Sequence, residues 1–367
     1  MSLSITPIEP AFGERAIPIV FSTDDNYAPY LSVALQSLLD HTNAEKLYDI
    51  IVLQDGLSEQ HRTLLSSQCT SYPNVSLRYH DVPEELKGYD FQLNMLPIAT
   101  YYRICAPGIF AKYEKIVYLD VDICVLSDVG ELYAATLGDN MVGACRDYGM
   151  MRLMQVKEWP QLRSYLTDTL GMANPTDYVN AGVLIFNIKA CIEQNFTQRM
   201  LDVISSHKTE FGDQDMLNEV CQGTICFLDP AWNSAYRVDK AYVPEALYEA
   251  HLQGLRSPKI VHYMGGQNSK PWNSARYNEA ALWWQYALQC PYAGALLNRR
   301  LHLINRQLGE LSRKLEGYGS FWQYKRRYWK YKLLSRITFG KTRRRYKQLR
   351  REMKAILKTI RFAPRRV

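Results

Sequence analysis

Two acidic pairs, Asp120-Val121-Asp122 and Asp213-Gln214-Asp215, stand out along this chain of 367 residues. Carboxylates at i and i+2 can converge on one hard divalent cation and leave positions open for the oxygens of a phosphate-bearing substrate. With 19 aspartates in the chain, about one such pair is expected from composition alone, so placement has to decide. Asp120 and Asp122 follow "KIVYL", where a buried strand ends, although a solvated acidic turn is the plain alternative. Asp213 opens a helical stretch, where an N-cap or first-turn carboxylate is an equal reading. His262 follows the last apolar β-rich run and precedes "MGGQNSKPW". Two aspartates and a histidine make a mixed oxygen and nitrogen donor set suited to Mn, with a hydrogen-bonded structural histidine as the alternative. Lys270, beside the same Gly-rich turn, either meets a phosphate as a point charge or stays an ordinary exposed lysine.

Such residues need elements to hold them. "AIPIVFS" is a short apolar β-rich run that ends in the acidic turn "TDDN". A helix is predicted from Pro29, with apolar positions at Leu31, Ala34, Leu35, Leu38 and Leu39. Leu47 to Asp55 reads as a second strand, Ser58 to Leu65 as a second helix and "NVSLRYHDV" as a third strand. This β-α-β-α-β order predicts an α/β fold with a mostly parallel central sheet flanked by helices. Ligands on such sheets bind beyond the carboxyl ends of the strands. "ATYYRICAP" is expected to be a helix ending near Pro107, and "YEKIVYLDVDICVLSDV" a strand, an acidic break and a second short strand. "MVGAC", "NAGVLIFNI", "TICFL" and "KIVHYMGG" are four further β-rich runs. A change of composition near Tyr277 divides the chain into an N-terminal extension (1–15), a main domain (16–275) and a helical, basic C-terminal region (276–367).

The formal charge of +7 hides a division between those regions. Of 44 lysines and arginines, 23 lie from Arg299 to Val367 beside only three acids, a net of +20. The other 298 residues hold 21 basic and 34 acidic side chains, a net of −13. In the tail, Tyr346, Leu349, Met353, Ile356 and Ile360 recur at alternating spacings of 3 and 4 among basic residues, the pattern of a basic amphipathic helix. "FWQYKRRYWKYKLL" before it mixes aromatic and basic side chains that suit a bilayer headgroup region. The tail is therefore expected to dock on an anionic membrane surface; a helix packed on the body or on another subunit is the alternative. Eight scattered cysteines with no C-x-x-C pair argue against a disulfide framework and a zinc finger, and for reduced buried thiols. The start "MSLSITPIEPAFGERA" has no basic or apolar signal region, and no stretch nears the ~20 apolar residues of a spanning helix. A cytoplasmic protein, peripheral on the inner face of the cell membrane, is expected.

Seven blocks taken in order carry a resemblance: "VFSTDDNYAPYLSVALQSLL", "TYYR", "VYLDVDICV", "LGDNMVGACRD", "NAGVLIFNI", "GDQDMLN" and "HYMGG" with "KPW". Together they resemble the family 8 glycosyltransferases, above all the bacterial lipooligosaccharide α-galactosyltransferases, from about Ile17 to Trp272. The resemblance implies a GT-A fold, a UDP-hexose donor used with Mn (Mg as the second choice), and transfer with retention of anomeric configuration. It places Asp24 and Asn26 at the uracil and ribose with Ser22 beside them, and Asp120, Asp122 and His262 on the metal. Val121, Gly265 and Lys270 join the same nucleotide-binding set. Arg103, Asn180 and Asp213 are implied at the donor sugar, Asp147 towards donor sugar and acceptor, and Gln214 facing the reacting carbon with Asp215 next to it. The catalytic candidates are thus Gln214, Asp213, Asp215, Asp147 and Arg103. Two departures from the family pattern stand out. His262 and Lys270 lie eight positions apart, two more than in the pattern, and Phe211 occupies the acceptor-side aromatic position without a hydroxyl.

Retaining sugar transfer through a covalent intermediate needs a carboxylate nucleophile. Gln214 is an amide, which favours front-face attack in which the departing phosphate helps to deprotonate the acceptor hydroxyl. The expected reaction moves galactose, or glucose, from UDP to a glycan acceptor that is lipid-linked or in the cell envelope, such as lipopolysaccharide or lipooligosaccharide. A UDP-glucose-dependent glucosyltransferase acting on a protein-linked glycan is the nearest alternative. A nucleotidyltransferase would need a Gly-rich phosphate loop with a basic residue after the first strand, where this chain has "TDDNY". The basic tail would suit nucleic acid electrostatically, but the body is acidic and carries no recognised nucleic-acid module, so none is expected as a partner.

Overall fold

The computed structural model describes residues 3–91, 97–157, 159–235, 237–274, 280–317, 321–338 and 340–361. Among the described residues nine strands form in chain order: β1 (Ala16–Ser22), β2 (Leu47–Gln54), β3 (Val75–Asp81), β4 (Lys115–Leu119), β5 (Ile123–Val125), β6 (Val142–Arg146), β7 (Val179–Asn187), β8 (Ile225–Phe227) and β9 (Ile260–His262). Seven of them make one sheet in the order β3-β2-β1-β4-β7-β6-β8. β1 runs parallel to β2 and β4, β2 parallel to β3, and β6 parallel to β8, while β7 runs against both β4 and β6. The sheet is mostly parallel, as expected, with β7 reversed.

The central strands β1, β4 and β7 are buried on both faces and are mostly apolar, whereas β3 at the edge of the sheet is half-buried and mixed in composition. Ile19 and Phe21 of β1 pack with Leu31, Leu35 and Leu38 of the Ala28–Leu39 helix. Val20, between them, points into a second core with Ile104, Phe110, Phe196 and Leu217. A smaller core gathers Met150, Met151, Leu162, Leu166, Tyr178, Val238 and Tyr248. One expectation is corrected. "ATYYRICAP" is a 3-10 helix, Ile98–Cys105, followed by a short α-helix, Ala106–Ile109, with Pro107 in its first turn. Pro107 therefore opens an element where it was expected to close one, because a first-turn proline forfeits no helical hydrogen bond.

A second, two-stranded sheet pairs β5 antiparallel with β9 and sets Ile123 opposite His262. Asp120 to Asp122 bridge β4 and β5, and the Asp120 N–H donates to the Gly182 carbonyl of β7 at 2.8 Å. These pairings bring three distant stretches of sequence to one point.

The chain divides into two compact units, Met1–Leu296 and Leu297–Val367. The first takes in the Ala280–Ala287 helix, which the composition break had grouped with the tail, since Trp283 and Tyr286 are buried in the core with Tyr30 and Trp272. The segment before β1 is tied down as well: the Ala11 N–H donates to the buried Asp49 carboxylate at 3.0 Å. In the second unit the Phe321–Ile337 and Gly340–Arg361 helices pack together, with Tyr331 and Tyr346 stacked at 6.1 Å between centroids. Among the described residues no helix is long and apolar enough to cross a membrane. All eight cysteines are free thiols.

Candidate active site

A cavity of about 500 Å³ is walled by Ser22, Arg103, Asp120, Asp122, Asp213 and Gln214 together with His262 and Lys270. At its floor, one ligand atom each from Asp120, Asp122 and His262 falls within 4.8 Å of the other two. His262 Nε2 lies 3.3 Å from Asp122 Oδ1 and 3.9 Å from Asp120 Oδ2. The donor set fits a divalent cation that accepts oxygen and nitrogen ligands. A further observation supports the fit: a Cβ on Gly182 would stand 2.6 Å from Asp120 Oδ2 and 2.3 Å from His262 Cε1. Only a residue without a side chain leaves that space clear, and Gly182 lies inside β7, where a glycine otherwise weakens the strand.

Lys270 reaches the site despite its longer loop. Its ammonium is bonded to the Asp122 carboxylate and donates to the Tyr263 carbonyl at 2.9 Å. Burial alone would raise Asp122, but the Lys270 ammonium overrides it and holds the carboxyl well below its ordinary range. Arg103 is buried and fully engaged. Its Nη2 donates to Asp120 Oδ1 at 2.8 Å, its Nε to the Thr100 carbonyl at 2.9 Å, and its Nη1 to the Ala181 carbonyl. The guanidinium also lies over the Tyr118 ring and within 3.0 Å of Asp213 Oδ2.

Asp213 is buried, and burial pushes its carboxyl up to about 6 against the pull of Arg103. Asp213 lines the cavity, and its Oδ2 is shut away beside Arg103 Nε without a well-aligned hydrogen bond. Gln214 is held at both ends: Oε1 accepts from Asn180 Nδ2 at 2.9 Å and from the Ala181 N–H at 3.2 Å, and Nε2 donates to Asp147 Oδ2 at 3.1 Å. Val121, Asn180, Asp147 and Gly265 line the same cavity.

Three candidates stand elsewhere. Asp215 is not in the cavity wall. Its Oδ1 accepts from Tyr178 at 2.6 Å, and its Oδ2 from Tyr165 at 2.7 Å and from the Phe211 and Glu210 N–H groups at 2.8 and 2.9 Å. It is a latch for the turn before the Asp213–Val220 helix, with its carboxylate oxygens taken up by these four donors. Asp24 accepts from the Tyr27 N–H at 2.9 Å and Asn26 is exposed; neither lines the cavity, although Ser22, Thr23 and Tyr27 around them do. Sequence reasoning passed over Gly182 and Asn233. The signal for Gly182 was a glycine amid β-branched and apolar residues in "NAGVLIFNI"; Asn233 carried none.

Residues 18–276 match the sequence profile described as Glycosyl transferase family 8. The chain belongs to glycosyltransferase family 8. The lipopolysaccharide 1,2-glucosyltransferase of Escherichia coli is 27% identical over 269 residues, which cover 71% of this chain and 75% of that one. The apo structure of the bifunctional glycosyltransferase WbbM is similar at a TM-score of 0.70 and 29% identity, covering 80% of this chain and 53% of WbbM, so this chain spans about half of that length. The galactosyltransferase LgtC, solved with donor and acceptor sugar analogs, is similar at a TM-score of 0.65 and 26% identity, covering 76% of this chain and 99% of LgtC. The fold of this family 8 enzyme is accordingly GT-A, with additional C-terminal helices.

Proposed function

We propose that this family 8 glycosyltransferase is a retaining hexosyltransferase that moves galactose from UDP to a hydroxyl of a lipopolysaccharide-type glycan. The observation that carries the reading is one cavity in which a divalent donor set adjoins the buried carboxylate of Asp213 and a clamped amide at Gln214. A cation, Mn or Mg, held by Asp120, Asp122 and His262 would supply positive charge for the departing diphosphate. Lys270 adds a buried ammonium on the same side, and Ser22, Val121 and Gly265 lie around the nucleotide, with Asp24 and Asn26 beyond the cavity in the turn after β1. The Asp213 oxygen accepts a hydroxyl of the donor sugar. Arg103 keeps Asp120 and Asp213 in place, and Asp147 faces donor and acceptor.

Gln214 makes a covalent intermediate unfavourable, since an amide is a poor nucleophile and its oxygen already accepts two hydrogen bonds. The bond from the anomeric carbon to the UDP oxygen breaks as the acceptor oxygen bonds on the same face, and the acceptor proton passes to the departing phosphate. The acceptor class is supported by the named activity of the E. coli relative, the donor by that of LgtC. Glucose is the second donor reading, supported by the same E. coli relative. The basic tail carries the enzyme to an anionic membrane on its cytoplasmic side, where a lipid-linked acceptor is found.

Screening UDP-hexoses for Mn-dependent hydrolysis and transfer tests this directly. Turnover of UDP-galactose or UDP-glucose is expected, and Gly182→Ala should lower it at least about tenfold by intruding on the donor set. Absence of turnover with every nucleotide sugar, with metal supplied, would sink the reading. A sugar trapped covalently on Asp213 or Asp147 would sink the front-face route.

A further inference from the structure

Four hydrogen bonds converge on the side chain of Asn180. Its Oδ1 accepts from the Gly182 N–H at 2.9 Å and from Asn233 Nδ2 at 2.8 Å. Its Nδ2 donates to Gln214 Oε1 at 2.9 Å and to Met264 Sδ at 3.0 Å. A primary amide offers two lone pairs and two N–H bonds, so Asn180 has none left for a sugar.

Backbone N–H groups can only donate, and two of them give this network a direction. The Gly182 N–H identifies which end of Asn180 is oxygen, and the Ala181 N–H does the same for Gln214. Facing an oxygen, Asn233 must present its NH2 group to Asn180 and therefore its Oδ1 to His262, 2.8 Å from Nδ1. An amide oxygen can only accept, so His262 carries its proton on Nδ1. The Nε2 lone pair is then turned towards Asp120 and Asp122. The ring is buried, so bulk water does not compete for Nδ1.

Asn233 itself is held by the backbone. It ends the Pro230–Asn233 turn, which is capped by Asp229 Oδ1 accepting from the Ala231 N–H at 2.9 Å. The next residue is bonded to β9 twice: the Ser234 N–H donates to the Ile260 carbonyl at 2.9 Å and the His262 N–H to the Ser234 carbonyl at 2.7 Å. Asn233 and His262 thus stay in register without help from the Asn233 side chain.

We propose that Asn233 is a positioning residue that locks His262 in the Nδ1–H tautomer required of a metal ligand. Through Asn180, the same relay ties the metal-binding residues and Gln214 to one stretch of β7. The inference rests on the metal-centre reading given under Proposed function.

The test uses the full chain and Asn233→Leu, which keeps the volume and removes the acceptor. Long-range proton–nitrogen spectra of the metal-free wild type should show His262 protonated on Nδ1, and those of the variant a mixture of tautomers. Mn2+ affinity, measured by titration in the presence of UDP, should fall about 10–100-fold in the variant with the melting temperature little changed. A wild-type His262 protonated on Nε2, or a variant with wild-type Mn2+ affinity, would overturn the inference, and the first of these needs no variant to fold. Wild-type protein that binds no Mn2+ would instead overturn the metal-centre reading, with the tautomer still deciding what Asn233 does.

Discussion

Asp213 and Asp215 stand two positions apart in one helical turn and do opposite work. Asp215 is satisfied by two tyrosine hydroxyls and two backbone donors, whereas Asp213 is buried with an oxygen that accepts nothing well aligned. Such a group costs stability, and pH exposes the cost. The Asp213 carboxyl is raised to about 6 in the folded chain from an ordinary value of 3.8. Between those values the folded state holds a proton that the unfolded chain has already released, so stability falls as pH rises through that window. Asp213→Asn should flatten the fall, gaining on the order of 1–3 kcal/mol relative to wild type at pH 7 compared with pH 4. Melting curves at the two pH values check it, and an unchanged difference would remove Asp213 as a strained acid. Sugar transfer by the same variant should drop sharply, since its carboxylate is given up.

Two short elements do most of the assembly. β5 and β9 are three residues each, too short to be stable alone, yet their pairing is what sets His262 beside the acidic pair at 120–122. The turn after β9 is then anchored by Trp272, fully buried and stacked on Tyr30 of the Ala28–Leu39 helix at 3.9 Å between centroids. That stack fixes the far end of the loop bearing Lys270 and so helps to hold the lysine at the site. Trp272→Ala should destabilise the protein by about 3–5 kcal/mol and raise KM for the UDP-sugar. Trp272→Phe, which keeps the stack, should recover most of both. Loss of stability with KM unchanged would mean that Lys270 does not depend on this anchor.

At the scale of the whole molecule, charge is split between an acidic body and a tail unit of net +20. Trp329, Leu333 and Ile337 recur every four residues along the Phe321–Ile337 helix and are all exposed. Exposed apolar side chains among lysines and arginines suit an anionic headgroup layer, where each basic residue contributes on the order of 1 kcal/mol. The full chain should sediment with anionic vesicles, release as salt rises from about 0.1 to 0.5 M, and bind several-fold more weakly as Leu333→Glu. Salt-insensitive binding, or none, would defeat the membrane role.

The order of strands and helices was legible in the sequence because the central strands β1, β2, β4 and β7 are buried on both faces, which leaves largely apolar runs between polar turns. The acidic pair at 120–122, His262 and the basic tail were legible too, as residue types at the ends of such runs. Pro107 was misplaced because a proline can open a helix as well as end one, and local sequence does not distinguish the two. Asp213 and Asp215 could not be told apart by spacing, since burial and the reach of Tyr165 and Tyr178 come from elsewhere in the chain. Asn233 and Gly182 acquire their roles only from what lies across from them. The sequence by itself determined which elements form and which side chains of metal-binding or phosphate-binding type stand at their ends, both being local properties of composition and period. The tertiary structure alone decided which carboxylate lines the cavity, which nitrogen of His262 meets Asn233 and which the acidic pair, and why position 182 has no side chain, because each depends on contacts between elements far apart in the chain.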